Sequence, residues 1–583
     1  MVRGAPAGAC AAVRCRRSFA AFAAFAALAA LALVAGFGAL QPVVADAQRS
    51  ARPAFPAMVT DAAPGIDVLD YDIAIEFAPP TGVIQGVATI TLRRTAAVPS
   101  LRLDFVGLEA TSVTVAGVAQ PVRADSTGLT VALGPGANDE RVIVVRYQGT
   151  PRDGMVIRTN ARAGWTAFAD NFPSRARHWF PSVDHPSDKA TVSFTVRVPT
   201  SYLVIANGAL LDRTEVDGPT STTTSNVWRF REKYPIPTSL MVIGVAELSV
   251  VELGETACGL GDEGGCVTQF VLVEPASKGS FPANFARAGE IVQYFATLFG
   301  PFPYEKLAHV QSATRYGGME NAAAIFYAWN LFQAPNTVGE GLIAHETAHQ
   351  WFGDAVTERA WAHLWLSEGF ATYLNAMWME HAHGDSARVA ELVKMRRAVV
   401  GSAAARERPV IDTAEQEMSR LLNANSYQKG GLVLHMLRRT VGDSAFVRGL
   451  RSYQAQFKHG TALTDDLRVA VEREHGAPLG WFFDQWLRRP GWAELEVGWA
   501  VRDGRLELEI AQSKRFGDYR LALPVRVTRS DGSVVDFEVQ VPASPRTRVR
   551  SSVAFEAGSV REVALDPNGD LLATHTVRRL GNR

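Results

Sequence analysis

Between Asp67 and about Val273 the chain is written in short runs where apolar and polar residues alternate. YDIAIEF, VATITLRR, RVIVVRYQG and ATVSFTVRVP each turn every second side chain the same way, the period of a half-buried strand. No long amphipathic helix interrupts them, so residues 64–273 are read as an N-terminal β domain of about 200 residues. The period changes near Asn284. NFARAGEIVQYFATLFG recurs at helical spacing and stops at Gly300 before Pro301. A strand-like section follows, from LAHVQSATRY to AAIFYAW. Helical patterns then dominate in GLIAHETAHQWFG, EGFATYLNAMWMEHAHG, YQKGGLVLHMLRRTVG, SAFVRGLRSYQAQF, DDLRVAVEREHG and LGWFFDQWLRR. Residues 274–490 are therefore read as an α+β domain with a helical half. From Trp492 alternation returns in AELEVGWAV, RLELEIAQ, LALPVRVTR and VDFEVQVP, which predicts a C-terminal β-sandwich over 491–583. The fold class is multidomain α+β.

Composition adds limits to this picture. A chain of 583 residues is too long for one core. Its 59 basic and 59 acidic side chains balance, so it carries no signature of a nucleic-acid partner. The N-terminus is read as an address rather than fold. Arg3, Arg14, Arg16 and Arg17 precede the uncharged run FAAFAALAALALVAGFGAL, and Ala45-Asp46-Ala47 is a small-x-small cleavage signal before Gln48. Residues 1–47 are thus expected to be a signal peptide and the protein to be exported, periplasmic or secreted. An uncleaved membrane anchor is the alternative. Arg16-Arg17-Ser18-Phe19 leaves twin-arginine and general secretion both open. Residues 48–63 read as a flexible lead-in. Cys258 and Cys266 flank GLGDEGG, and in an oxidising compartment a disulfide is expected over two free thiols.

The chemistry concentrates in HETAHQW, which begins at His345. On a helix, His345 and His349 lie on one face and share a cation, while Glu346 reaches a water rather than the metal. A catalytic zinc takes three protein ligands and keeps one position open. Ala355 stands where a metzincin would place its third histidine, which excludes that class. Glu368 in WLSEGFATY, with Ser367 as a plausible helix cap, is the preferred third ligand over Glu358 and Glu380. One Zn²⁺ per chain on His345, His349 and Glu368, with Glu346 as general base, describes metal-assisted amide hydrolysis. A thermolysin-like endopeptidase has the same helix–helix pattern, so cutting inside a peptide or at its end stays open. Upstream, RYGGMENAAAIFY carries Glu320 as the only charge between Tyr316 and Phe326. Paired glycines there allow a substrate backbone to lie close to a sheet edge, and a solvated loop carboxylate is the plain alternative for Glu320.

GGMEN, HETAHQWFGDAVT, WLSEGFATYL and SYQKGG, in this order and spacing, resemble the zinc aminopeptidase family of aminopeptidase N and leukotriene hydrolase. RHWFPSVDHPSDKATVSFTVRVP, residues 177–199, resembles that family's N-terminal domain, and FFDQWLRRPG the close of its thermolysin-like catalytic domain. The resemblance implies that Glu320 grips the substrate's free α-ammonium. It implies that Gly317, Gly318 and Met319 line the backbone track, and that Tyr427 donates its hydroxyl to the oxyanion. The implied substrates are peptides with a free N-terminus, shortened one residue at a time. A thermolysin-like zinc endopeptidase is the alternative. Two positions depart from the family. Phe172 stands where many relatives carry a Gln or Glu lining the first side-chain pocket, so side-chain preference is not carried over. The chain also ends after the sandwich, where larger relatives add a helical domain, so the epoxide-hydrolase activity of leukotriene hydrolase is not expected. Oligomeric state is left open, and membrane contact is expected only if the signal stays uncleaved.

Overall fold

The four alternating runs of the N-terminal half all join one sheet in the computed structural model, which describes residue 59 and residues 61–581 apart from 161–163, 219–222, 258–265, 280–281 and 333–338. The signal segment 1–47, most of the lead-in and the Cys258 end of the expected disulfide lie outside the described residues. An eight-stranded sheet is centred on Ile66–Phe77, flanked by Ile84–Arg94 and, in parallel, by Lys189–Pro199. The YDIAIEF alternation is realised there: Tyr71, Ile73, Ile75 and Phe77 are buried on one face. A four-stranded sheet runs from Leu203–Ala206 through Ile243–Ala246 and Gly164–Ala169 to Met155–Asn160 at its edge.

The boundary expected at residue 273 does not hold. The hairpin Ser249–Ala257 and Cys266–Val273 belongs to a five-stranded sheet with Lys306–Ser312, Ala324–Ala328 and, at the edge, Gly318–Met319. Val271 faces His309 across a parallel register, so this hairpin extends the catalytic sheet. Alternation identifies a strand and its two faces but not the sheet it joins. Cys266 therefore starts a strand of the catalytic sheet rather than of the N-terminal domain.

The helical half follows the sequence pattern closely. Helix α1 is Ala288–Phe299, α2 Glu340–His349, α3 Trp365–His383, α4 Asp385–Gly401, α5 Ala403–Glu407, α6 Gly430–Val441, α7 Asp443–Phe457, α8 Thr464–His475 and α9 Gly480–Leu487. Helix α4 was not visible in the pattern. Its buried positions are Arg388, Leu392, Met395 and Val399, a helical spacing in which a guanidinium takes one core place. Arg388 is tolerated there because Glu380, Asp385 and Asp570 surround it.

The C-terminal region forms a four-stranded and a three-stranded sheet. Alternate residues such as Leu506, Leu508, Ile510, Leu523, Val525 and Val527 are buried, as expected of a sandwich. Residues 53–583 make one compact unit. Part of the reason is Lys189, half-buried at the start of its strand, whose ammonium donates to the carbonyls of Asp354, Ala355 and Gly460 at 2.8, 3.1 and 3.1 Å. Among the described residues, no helix is long and apolar enough to cross a membrane.

Candidate active site

Helices α2 and α3 pack so that His345, His349 and Glu368 face one another. The two histidine Nε2 atoms are 3.1 Å apart, and each is 3.5 Å from Glu368 Oε2. Ligands bound at about 2.0–2.1 Å around a tetrahedral ion stand roughly 3.3 Å from one another, so the three atoms already have the spacing of a zinc cage. They are also three lone-pair donors converging on one point, which is a poor hydrogen-bonding arrangement and a good metal one. The alternatives Glu358 and Glu380 are elsewhere. Glu358 is buried in the strand Val356–Glu358, not in a loop, and Glu380 pairs with Arg388 and Arg438.

Ser367 is not a cap. Helix α3 begins two residues earlier, at Trp365, and the Ser367 hydroxyl lies 3.0 Å from His349 Nδ1. The Phe352 carbonyl is 3.3 Å from the same nitrogen. These partners leave Nε2 free to bind a cation, the usual role of outer contacts on a ligating histidine. Gly353 makes the arrangement possible, because a Cβ there would collide with Ser367 Oγ.

Glu320 and Glu346 close the other side. Their carboxylates and His349 have ligand atoms all within 4.8 Å of one another. Glu320 is 7% exposed, so it is no solvated loop carboxylate. Burial pushes Glu320 and Glu346 upward, and the nearby Glu368 carboxylate adds to the rise at both. Burial opposes charge on His349, but the carboxylates of Glu320, Glu368 and Glu346 outweigh it and hold the imidazole well above its usual range. Burial also opposes charge on Glu368, yet its bonds to His345 and His349 bring it down to about 2. Three carboxylates in one buried cleft are an excess of negative charge that a divalent cation relieves.

The glycine pair divides into two roles. Gly318 is fixed by Glu346, because a Cβ there would run into the Glu346 carboxylate. Gly317 has open space beside it. Met319 does not present its side chain to the cleft: it is buried in the core, and only its backbone lies at the edge, opposite Phe326. Tyr427 sits in a π-helical turn, Asn425–Lys429, and its hydroxyl donates to Glu368 Oε1 at 2.6 Å. Such turns widen a helix and recur at functional sites. Burial and the Glu368 carboxylate push the Tyr427 phenol well above its usual value, so it remains a donor.

Several residues that hold the site gave no sign in the sequence reading. Gln350, inside HETAHQW itself, donates to the Glu320 carbonyl at 2.9 Å and accepts from the Ala323 amide at 2.9 Å, tying the edge to α2. Arg315 reaches Asp170 at 2.7 Å and Asp153 at 2.8 Å, so the N-terminal sheets anchor the same segment. Phe172 packs edge-on against Tyr316 and Trp361, with centroids 6.2 and 5.4 Å apart.

The Peptidase family M1 domain matches residues 284–486 and the Peptidase M1 N-terminal domain matches 68–240, together well over half of the chain. The chain belongs to peptidase family M1. Among relatives within reach of this family, a leucyl aminopeptidase of Saccharolobus solfataricus is 27% identical over 502 residues, 81% of this chain and 59% of the relative. Aminopeptidase M1-B of Oryza sativa subsp. japonica is 30% identical over 58% of this chain and 38% of its own. The crystal structure of Legionella pneumophila aminopeptidase A in complex with aspartic acid shares the fold. Its TM-score is 0.76 at 17% identity, covering 88% of this chain and 60% of that one. The chain spans about half the length of the curated relatives it matches.

Proposed function

We propose that the chain is an exported, zinc-dependent aminopeptidase that removes the N-terminal residue of peptides. The observation that carries the reading is the position of Glu320. Its buried carboxylate stands beside Glu346 and His349 on a sheet edge, and among the described residues no lysine or arginine pairs with it there. With all three ionised, as a bound divalent cation favours, Glu320, Glu346 and Glu368 hold three negative charges. One divalent zinc leaves a single charge over, and a substrate α-ammonium balances it. A peptide continuing past its N-terminus on that side offers no such cation, which favours removal from the end over cutting within.

His345, His349 and Glu368 are the residues that would hold the metal, and their spacing fits it. Zinc, when bound, supplies the Lewis acidity that makes water a nucleophile at neutral pH. Glu320 binds and orients the substrate amine. The outer edge of Gly318–Met319 offers backbone groups to the substrate chain, since this strand pairs on one side only. Glu346 accepts the proton of the attacking water and returns it to the leaving amine; its Oε2 is buried and without a partner among the described residues. Tyr427 turns its hydroxyl from Glu368 to the oxygen of the carbonyl under attack. Export rests on the Arg-rich start, the apolar run and Ala45-Asp46-Ala47.

A panel of aminoacyl fluorogenic amides, each beside its N-acetylated form, tests the activity. Hydrolysis of the free amines alone supports the reading, and equal hydrolysis of both sinks it in favour of an endopeptidase. N-terminal sequencing of protein recovered outside the cytoplasm should begin at Gln48; a start at Met1 in soluble protein removes the export proposal.

A further inference from the structure

A cavity of about 430 Å³ opens at the end of the glycine edge opposite to Glu320. Arg158, Thr314, Arg315, Ala328 and Trp329 are among its walls. Its place relative to the edge strand follows from the backbone: Gly318 pairs with Tyr327, and the Ala328 amide donates to the Gly317 carbonyl at 3.1 Å. Ala328 and Trp329 thus lie just past Gly317, on the side away from Glu320. A peptide whose amine is held by Glu320, and which pairs along Gly318 and Gly317, runs toward this cavity. From Glu320 to Gly317 is three residues of strand, roughly 10 Å at about 3.4 Å each. The third or fourth residue of the peptide therefore arrives at the cavity wall.

The two guanidiniums there differ in what they already hold. Arg315 is committed to Asp170 and Asp153, two carboxylates that cancel its charge and that of Arg175 beside it. Arg158 stands on Met155–Asn160, the edge strand of its own sheet, and its side chain has no hydrogen-bond or ion-pair partner among the described residues. The cavity therefore carries one uncompensated positive charge on a planar fork shaped for a carboxylate.

We propose that this cavity receives the C-terminal carboxylate of tri- and tetrapeptides and that Arg158 is the residue that reads it. The inference rests on the aminopeptidase reading above and names its substrate class: short peptides with both ends free. Glu320 and Arg158 then act as two charged stops at the ends of one backbone track, the first for the amine and the second for the carboxylate.

The test compares a tripeptide and a tetrapeptide with their C-terminal amides, beside an aminoacyl fluorogenic amide that has no carboxylate. Wild type should favour the free acids by about tenfold in kcat/KM, mostly through KM, as a single exposed charge-assisted contact allows. Arg158→Gln should bring that ratio near one by weakening the acids alone. Arg158→Lys should restore part of it, and Arg158→Glu should favour the amides. The aminoacyl amide should be cleaved alike by all four proteins, which shows that the variants are folded and active. Ten-residue peptides, whose ends lie beyond the cavity, should show no preference between acid and amide. A wild-type ratio near one for the short peptides, or a ratio that Arg158→Gln keeps, overturns the subsite alone. No hydrolysis of the aminoacyl amide by zinc-loaded wild type removes the aminopeptidase reading, and the subsite with it.

Discussion

The metal half and the amine half of this site are held in different ways. His345, His349 and Glu368 come from two neighbouring helices, α2 and α3, and Ser367 on α3 steadies a histidine on α2. That half is local. Glu320 instead follows a two-residue strand, and its position depends on Gln350 below it and on Asp170 and Asp153 of the N-terminal sheets through Arg315. That half is assembled from distant parts of the chain. On the proposed reading, the contrast implies that zinc binding and recognition of the substrate end are separable properties, and that damage to the N-terminal domain should reach the second before the first.

The sharpest break falls on the metal half. Glu368→Ala should lose zinc and activity together, leaving background hydrolysis; retained stoichiometric zinc in that protein would remove Glu368 from the ligand set. Glu346→Gln should keep its zinc by metal analysis while turnover drops about 10²–10⁴-fold, the span usual for a general base. Full activity would leave Glu346 without that role. Asp170→Ala attacks the other half from a distance. It removes the partner of Arg315 and of buried Arg175, so the edge should shift and kcat/KM on free-amine substrates fall by up to ~10²-fold with zinc content unchanged. Parallel loss of zinc would mean that the two halves are not separable. Ser367→Ala is the mildest change. The Phe352 carbonyl remains on His349 Nδ1, so zinc affinity in a chelator competition should weaken only about tenfold, the low end for an outer partner. Unaltered affinity would show that Ser367 is packing rather than positioning.

What could be read from the sequence follows the same division. The shared face of His345 and His349 was legible because helical periodicity fixes it, and Glu368 because it opens the next helical run, where a zinc site of this kind takes its third ligand. Glu320 stood out locally only as the lone charge after paired glycines, with a solvated carboxylate as the alternative, and its role came through resemblance; Tyr427 was legible only through resemblance, since nothing in its local pattern marks it among the other phenols. Gln350, Asp170, Arg315 and Lys189 stayed hidden because each acts through a partner far away in the chain, and pairing at that range leaves no period to detect. Ser367 was misread because a serine ahead of a helical run is the ordinary mark of a cap, whereas this one lies inside the helix. In the fold, strands and most helices were visible. The membership of residues 249–273 in the catalytic sheet and the existence of α4 were not, the first because alternation is blind to sheet partners, the second because Arg388 breaks the apolar stripe.

The central claim is that Glu320 reads a free amine, and the most direct measurement is the ratio of kcat/KM for free and N-acetylated forms of one peptide, in wild type and in Glu320→Ala. Losing a paired amine in a partly desolvated cleft is worth roughly 2–5 kcal/mol, about 30-fold to several thousand-fold. The account predicts a wild-type ratio in that range. In the Glu320→Ala protein, with zinc retained, the ratio should collapse toward one because the free-amine substrate loses its advantage. Comparable rates on the two forms by the wild-type enzyme, or an undiminished ratio in Glu320→Ala, would contradict it.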